Sequence, residues 1–260
     1  MGGRVHGERD GAIGWVVFDH PERRNAISVE MWQAIPGLLS ELESDGDIRV
    51  LVLRGAGEEA FVSGADISEF EKRRTGDQAQ AYDELNSCAY RAIASVSKPV
   101  LAMIHGFCVG GGVGIALQAD LRYAAEGARF AVPAARLGLG YSASGLETLV
   151  RLVGPSATKE ILFTARRLSA GDAQRVGLVN AVLPGEELEG AVRDAAGRMA
   201  ANAPLTLRSV KSICRELAQP VSQRDNAAVT AGISACFESE DFREGVRAFL
   251  EKRPPRFRGC

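Results

Sequence analysis

Residues 98–119 read KPVLAMIHGFCVGGGVGIALQA. The apolar run at 100–105 predicts a buried strand, and residues 114–119 predict a helix. The glycine triplet at 110–112 separates the two, and glycine allows a chain to turn sharply with its backbone N–H groups uncovered. Such amides bind negatively charged oxygen atoms at the start of a helix. This stretch therefore predicts an α/β fold whose chemistry lies at the glycine turn.

A second turn precedes this one in the chain. Residues 60–67 read AFVSGADI, which places Gly64 and Ala65 directly after a short apolar run. If folding brings the two turns together, each turn can offer one backbone N–H to the same oxygen atom. Two convergent amides of this kind form an oxyanion hole, which stabilises the negative charge that develops on a thioester carbonyl. We therefore place the candidate chemistry at these two turns.

The order strand, glycine turn, helix is also typical of dinucleotide-binding proteins. Gly110 and Gly112 supply the first two glycines of a G-x-G-x-x-G motif, but Ile115 occupies the third position. No acidic residue that ends a second strand lies about 20 residues further on. These observations argue against a nicotinamide-dependent dehydrogenase. Close packing of a helix on a strand also explains glycines here, so the triplet alone leaves the function open.

The composition argues against several classes of protein. The chain has 260 residues, of which 46% are hydrophobic, and this suits one large domain or a main domain with a smaller appendage. Its 31 basic and 33 acidic residues give a net charge of -2, which argues against broad binding of nucleic acid. Five cysteines without a CxxC pair indicate reduced thiols rather than metal ligands. No apolar stretch approaches the roughly 18 residues of a membrane span, so we expect a soluble cytoplasmic protein.

Strands alternate with helices up to about residue 182. Strands are predicted at 12–19, 50–53, 100–105, 121–124, 129–132 and 179–183. Ser28 is expected to cap the helix that follows it, and Pro36 is expected to kink or shorten that helix. A second helix is predicted over 77–96, and Ser169 with Asp172 resembles a capping box.

After Pro184 the pattern is helical almost to the end of the chain. Helices are predicted at 188–201, 204–217, 222–237 and 242–250. We divide the chain into a core at 1–200 and a C-terminal helical region at 201–260. Because the apolar faces of these helices need a surface to pack on, we expect this region to mediate oligomerisation.

Residues 60–67, Lys98 with Pro99, and residues 105–112 occur in an order that resembles the crotonase family, also called the enoyl-CoA hydratase/isomerase superfamily. The similarity extends from about residue 16 to residue 257. It includes Asn25 and Ala26, residues 162–179, and residues 244–253, which read EGVRAFLEKR. The resemblance implies a spiral of ββα units with a C-terminal α-helical trimerisation region. It also implies a homotrimer or a dimer of trimers, and a coenzyme A thioester as substrate with no permanently bound cofactor.

The resemblance assigns roles to individual residues. The N–H groups of Ala65 and Gly111 would be the two oxyanion donors, and no metal is involved. The residues expected to bind coenzyme A are Arg24, Ala26, Ser63, Asp66, Ile67 and Lys252. Asp66 is also expected to brace its own turn through nearby N–H groups, and His105 is expected to be a hydrogen-bonded histidine on a core strand.

Two positions depart from the family pattern. Hydratases of the family carry one glutamate two residues after the glycine triplet and another directly after a proline on a later segment. Here these positions are Gly114 and Ala134, the latter after Pro133. Neither residue can accept or donate a proton, whereas each such group contributes about 10²- to 10⁴-fold to a reaction of this type. A standard two-glutamate hydratase mechanism is therefore disfavoured.

Tyr141 is the leading candidate for a catalytic side chain. It ends the segment LGLGY at 137–141, which is similar to a Leu-Gly-x-x-Tyr segment of the family's methylmalonyl-CoA decarboxylases. That similarity implies a hydroxyl that positions a carboxylate for loss as carbon dioxide, while an oxyanion hole holds the enolate. An ordinary amphipathic tyrosine at a helix entrance is the alternative. We therefore expect an acyl-CoA enzyme with decarboxylase-like chemistry; the alternatives are a hydratase of non-standard mechanism and a non-catalytic acyl-CoA binding protein.

Overall fold

The computed structural model describes residues 2–66, 77–141 and 143–260, and in this part of the chain it contains two β-sheets. The strands are β1 (Arg4–Asp10), β2 (Ile13–Asp19), β3 (Val50–Gly55), β4 (Ala60–Val62), β5 (Val100–Ile104), β6 (Phe107–Val109), β7 (Leu121–Ala125), β8 (Arg129–Ala131), β9 (Leu168–Ser169) and β10 (Ala181–Leu183). The larger sheet has the order β1-β2-β3-β5-β7-β10, and the smaller sheet has the order β4-β6-β8-β9. The predicted α/β class is confirmed.

Helices cover the sheets and form the C-terminal part of the chain. They are α1 (Val29–Ser44), α2 (Asp77–Ser95), α3 (Gly111–Gln118), α4 (Ala134–Leu137), α5 (Ala143–Thr164), α6 (Ala170–Arg175), α7 (Gly185–Ala200), α8 (Pro204–Leu217), α9 (Asn226–Glu238) and α10 (Glu240–Leu250). None of the helices in the described ranges is long and apolar enough to cross a membrane.

The chain repeats one unit three times. β3, β5 and β7 lie in the larger sheet, and each is followed by a short parallel strand of the smaller sheet and then by a helix. The predicted spiral of ββα units is thus observed. Gly106 makes the turn between β5 and β6, with φ at 51° and no room for a side chain against the carbonyl group of Glu59.

The central strands are apolar because both of their faces are covered. Alternate residues of β2 enter different cores: Val16 and Phe18 pack with α1, whereas Trp15 and Val17 pack with α7. Parallel strands buried in this way have the continuous apolar runs seen at 50–53 and 100–104.

Two predicted helix starts are confirmed. The Ser28 side chain accepts a hydrogen bond from the N–H of Met31 at 3.3 Å. Ser169 and Asp172 form a reciprocal capping box at the start of α6. Of the two effects expected of Pro36, a kink or a shortening, the shortening is wrong, because α1 continues to Ser44. Buried apolar side chains on both sides of the proline hold the helix together and offset the lost backbone hydrogen bond.

Other boundaries differ from the sequence prediction. The edge strand β1 was not predicted. Most of its side chains are exposed and polar, so the strand gives no apolar signal. β6 was not predicted either, since its three residues stand between two glycines. α3 begins at Gly111, three residues earlier than predicted, and β10 begins at Ala181 instead of residue 179. His105 lies just after β5, half-buried, and desolvation lowers its pKa.

The predicted C-terminal helices are present as α7 to α10; α8 has the predicted bounds, and the other three have shifted ends. α8 and α9 contain no buried residue, and large apolar side chains such as Val210 and Phe237 are exposed in the single chain. α8 is attached to the core by polar contacts: Lys211 Nζ lies 2.7 Å from the Asp120 carboxylate, and Arg215 donates to the carbonyl of Ala94 at 2.6 Å.

An apolar groove of about 620 Å³ runs between these helices, and we call it the tail groove. Its lining includes Leu205, Val210, Ile233, Phe237, Val246 and Phe249. Exposed apolar surface of this kind occurs at sites of contact with proteins, membranes or ligands. The division into a core at 1–200 and an oligomerisation region at 201–260 stays a prediction.

Candidate active site

The two turns singled out in the sequence lie against each other. β4 and β6 are parallel neighbours, so the turns that follow them meet at the same edge of the smaller sheet. A Cβ built on Gly110 would lie 4.0 Å from Gly64 Cα, and one built on Gly64 would lie 3.4 Å from the carbonyl oxygen of Val109. Both glycines have positive φ, 52° and 117°, which side chains disfavour.

The amides of Ala65 and Gly111 are the two groups that this contact brings close. A Cβ on Gly111 would lie 3.8 Å from the Ala65 nitrogen. Among the described residues, neither amide donates to a protein acceptor. Gly111 is the first residue of α3, where the helix dipole adds partial positive charge. The arrangement can therefore bind an oxygen atom that carries negative charge.

Neighbouring backbone hydrogen bonds fix both turns. Ile27 donates to the carbonyl of Gly64 at 2.8 Å and accepts from the N–H of Asp66 at 2.9 Å, which holds the peptides on either side of Ala65. Gly110 donates to the carbonyl of Ala131 at 2.8 Å. Both amides are thus held by a frame that need not rearrange when an oxygen atom binds.

Aromatic side chains stand beside the turns. Trp32 from α1 packs edge-to-face on Tyr90 from α2, with ring centroids 5.4 Å apart at 88°. Its indole N–H donates to the hydroxyl of Tyr82 at 3.3 Å, and its ring lies 3.2 Å from the Cβ position of Gly111. Neither side chain was predicted as part of the site: helical spacing indicated Trp32 only as an apolar residue of the first helix, and α2 carries no motif. The glycines at 111 and 114, one helical turn apart, were the available sign that something packs closely on α3.

Positions 114 and 134 are both near the glycine turn. Gly114 donates its N–H to the carbonyl of Gly110 at 3.1 Å within the first turn of α3. Ala134 is buried at the start of α4, three residues after Ala131, the acceptor for Gly110. Neither position supplies an acid or a base.

The carboxylate next to Ala65 is engaged in an ion pair. Asp66 accepts two hydrogen bonds from Arg23, at 2.9 and 3.1 Å. The sequence had suggested N–H groups of the same turn as partners, whereas this partner comes from the first loop. The Asp66 side chain is 11% exposed, and Ser63 adds a hydrogen bond from its hydroxyl to the Arg23 carbonyl at 3.1 Å. These contacts attach the first loop to the turn that carries Ala65.

The residues predicted to bind coenzyme A are spread over several elements. Arg24 pairs with Glu59 at 2.6 Å, and its guanidinium lies 5.0 Å from the centre of the Phe107 ring. Ala26 is buried, and its carbonyl oxygen lies 3.0 Å from Nδ1 of His20. Lys252 lies in the exposed segment after α10, with φ at 53°. Ile67 lies outside the described residues.

Tyr141 follows α4 and is 42% exposed. Its neighbour Ser142 lies outside the described residues. In the parts of the chain that the structure describes, no group of three or more histidine, cysteine, aspartate or glutamate side chains could hold a metal ion. All five cysteines are free thiols, and burial raises the pKa of Cys108.

Comparison with known proteins agrees with this fold. The sequence profile of the enoyl-CoA hydratase/isomerase family matches residues 8–260. The chain therefore belongs to the enoyl-CoA hydratase/isomerase family. Enzymes of this family use coenzyme A thioesters as substrates and need no permanently bound cofactor.

Individual relatives are similar over almost their whole length. The chain is 33% identical to a short-chain-enoyl-CoA hydratase of Clostridium acetobutylicum over 95% of this chain and 94% of the relative. It is also 33% identical to a crotonyl-CoA hydratase of Syntrophomonas wolfei, with 96% of each chain covered. A crystal structure of an enoyl-CoA hydratase/isomerase family protein from Hyphomonas neptunium superposes with a TM-score of 0.93 at 41% identity, covering 97% of both chains.

Proposed function

We propose that this protein stabilises the enolate of an acyl-CoA thioester between the amides of Ala65 and Gly111, and that it catalyses a decarboxylase-like reaction. The observation that carries this proposal is a pair of amides, at two turns that touch, which donate to no acceptor among the residues that the structure describes. Removing one donor from such a pair typically costs on the order of 10²- to 10³-fold in rate. Two fixed amides beside a helix N-terminus therefore contribute strongly to the chemistry of the thioester α-carbon.

The side chains around the turns favour loss of carbon dioxide over addition of water. Hydration requires groups that move protons, and positions 114 and 134 provide none. Asp66 is held by Arg23 and is a poor candidate for a general base. Decarboxylation makes fewer demands, because the bonding electrons of the departing carboxylate form the enolate directly. Solvent then supplies the proton that the α-carbon takes up.

The remaining roles follow the family resemblance. Tyr141 is proposed to position the departing carboxylate through its hydroxyl. Coenzyme A is proposed to contact the first loop, the Ser63 turn and the C-terminal segment, through Arg24, Ala26, Ser63, Asp66, Ile67 and Lys252. The names of the two hydratase relatives favour a second candidate, a hydratase that works without the two glutamates.

Incubation with methylmalonyl-CoA and with crotonyl-CoA separates the candidates. We expect methylmalonyl-CoA to be converted to propionyl-CoA and carbon dioxide, and crotonyl-CoA to be hydrated at least about 100-fold more slowly than by a two-glutamate hydratase. Mass spectrometry of the thioesters measures both products. Tyr141→Phe should reduce decarboxylation and leave the melting temperature unchanged. Hydration of crotonyl-CoA at ordinary hydratase rates would overturn the proposal, and binding without any turnover would identify a non-catalytic acyl-CoA binding protein.

A further inference from the structure

Position 114 has no free space for a side chain. A Cβ built on Gly114 would lie 2.6 Å from Cζ of Tyr90 and closer still to the hydroxyl oxygen of Tyr90. Real Cβ atoms do not approach other atoms so closely, so the phenol of Tyr90 fills the volume that any side chain at 114 would need. An acidic side chain at 114 and the tyrosine at 90 exclude each other in this arrangement.

Tyr90 is held against α3 from two sides. Trp32 packs edge-to-face on the Tyr90 ring, and the Tyr90 hydroxyl donates to the carbonyl oxygen of Gly111 at 3.4 Å. This hydrogen bond is long, since O–H···O bonds are usually about 2.7–2.8 Å. A closer acceptor on a bound molecule would form a shorter hydrogen bond with the same hydroxyl. The phenol tip thus lies beside the same residue whose amide is one of the two proposed oxyanion donors.

We propose that the Tyr90 hydroxyl is a specificity-determining group that binds an oxygen atom on the third carbon of the acyl chain. This inference rests on the proposed function. When the amides of Ala65 and Gly111 hold the carbonyl oxygen of the first carbon, the third carbon is two bonds away. The Tyr90 hydroxyl lies next to Gly114, one helical turn along α3 from Gly111. The substrate class is then acyl-CoA with a carboxylate or keto oxygen at the third carbon, which includes malonyl-type thioesters.

A phenylalanine would fill the same space and keep the contact with Trp32. The hydroxyl therefore adds recognition of a polar group and little to the packing. A neutral hydrogen bond of this kind contributes about 0.5–1.5 kcal/mol, which corresponds to roughly 2- to 12-fold in affinity. Loss of the Tyr90 hydroxyl should therefore change the discrimination between acyl groups and leave the overall stability unchanged.

The test compares the binding of acetoacetyl-CoA, which carries a keto oxygen on the third carbon, with that of butyryl-CoA, which does not. Calorimetric titration of the wild-type protein should show tighter binding of acetoacetyl-CoA. Tyr90→Phe should reduce this preference roughly 2- to 12-fold through weaker binding of acetoacetyl-CoA, with butyryl-CoA affinity and melting temperature unchanged. Tyr123→Phe, on β7 in the other core, is the matched control and should change nothing.

A second variant, on α3, changes the position of the same hydroxyl. Gly114→Ala places a methyl group where Tyr90 stands, so it should displace the phenol and reduce the same preference. Combined with Tyr90→Phe, it should cause no further loss of that preference. Equal binding of the two thioesters by the wild-type protein, or an unchanged preference in Tyr90→Phe, would overturn this inference. If methylmalonyl-CoA is still decarboxylated, the proposed function survives that result, whereas binding of neither thioester would refute both.

Discussion

Replacement of Gly112 by alanine is expected to lower the turnover of a coenzyme A thioester at least about 100-fold. A Cβ at this position would lie 2.9 Å from Cβ and 3.0 Å from the carbonyl carbon of Val62, and closer still to its carbonyl oxygen. Because these atoms belong to β4, the clash must be relieved by moving α3 away from that strand. The amide of Gly111 then moves away from the amide of Ala65. Steady-state kinetics with methylmalonyl-CoA measures the loss.

A matched glycine separates this effect from a general cost of replacing glycine. Gly197 lies within α7, and a Cβ there meets nothing within 4 Å. Gly197→Ala should keep full activity and gain up to about 1 kcal/mol in the free energy of unfolding, because alanine favours helix more than glycine does. If Gly112→Ala fails to fold, Gly110→Ala is the milder variant, since it adds backbone strain of about 1–3 kcal/mol without a close contact. Full turnover in every folded variant of this turn, whether Gly112→Ala or Gly110→Ala, would contradict a role for the turn.

Phe249→Asp is expected to abolish the oligomer that we propose for this protein and to leave monomers. We propose that the tail groove binds a second copy of the chain, because α8 and α9 bury no residue in the single chain and the groove is lined almost entirely by apolar side chains. Phe249 is 84% exposed in the monomer. A carboxylate placed there would be buried in the assembly without a partner, which costs several kcal/mol per subunit contact. Sedimentation at micromolar concentration should show a multiple of 27.7 kDa, as a trimer or dimer of trimers, for the wild-type protein.

The control for this variant is an equally exposed apolar residue outside the groove. Val221 is 74% exposed in the short turn before α9 and does not line the tail groove. Val221→Asp should leave the sedimentation coefficient unchanged. A wild-type protein that sediments at 27.7 kDa, or a Phe249→Asp variant that stays assembled, would refute this role of the groove.

The sequence predicted the elements whose residues are buried on both faces or whose ends carry a cap. Strands at 50–53 and 100–104 have continuous apolar runs because they lie inside a parallel sheet. Elements that are exposed or very short gave no apolar signal. The side chains of β1 are mostly exposed and polar, and β6 is too short for a periodic pattern. Pro36 misled the prediction because tertiary packing decides whether a helix tolerates proline.

The same distinction applies to the candidate site. Glycine spacing and the family resemblance led to Ala65 and Gly111, since backbone donors at sharp turns need particular residue types. Tyr90 was missed because its importance comes from a volume shared with Gly114, and no pattern along α2 encodes that contact. The ion pair between Arg23 and Asp66 joins residues from two separate loops and was likewise not predictable from local sequence.

A crystal structure with bound acetoacetyl-CoA tests the central claim, which is that the amides of Ala65 and Gly111 form a thioester oxyanion hole. We expect the thioester carbonyl oxygen to lie within about 2.7–3.1 Å of both nitrogen atoms. A thioester carbonyl bound elsewhere, beyond hydrogen-bonding distance of either amide, would contradict it.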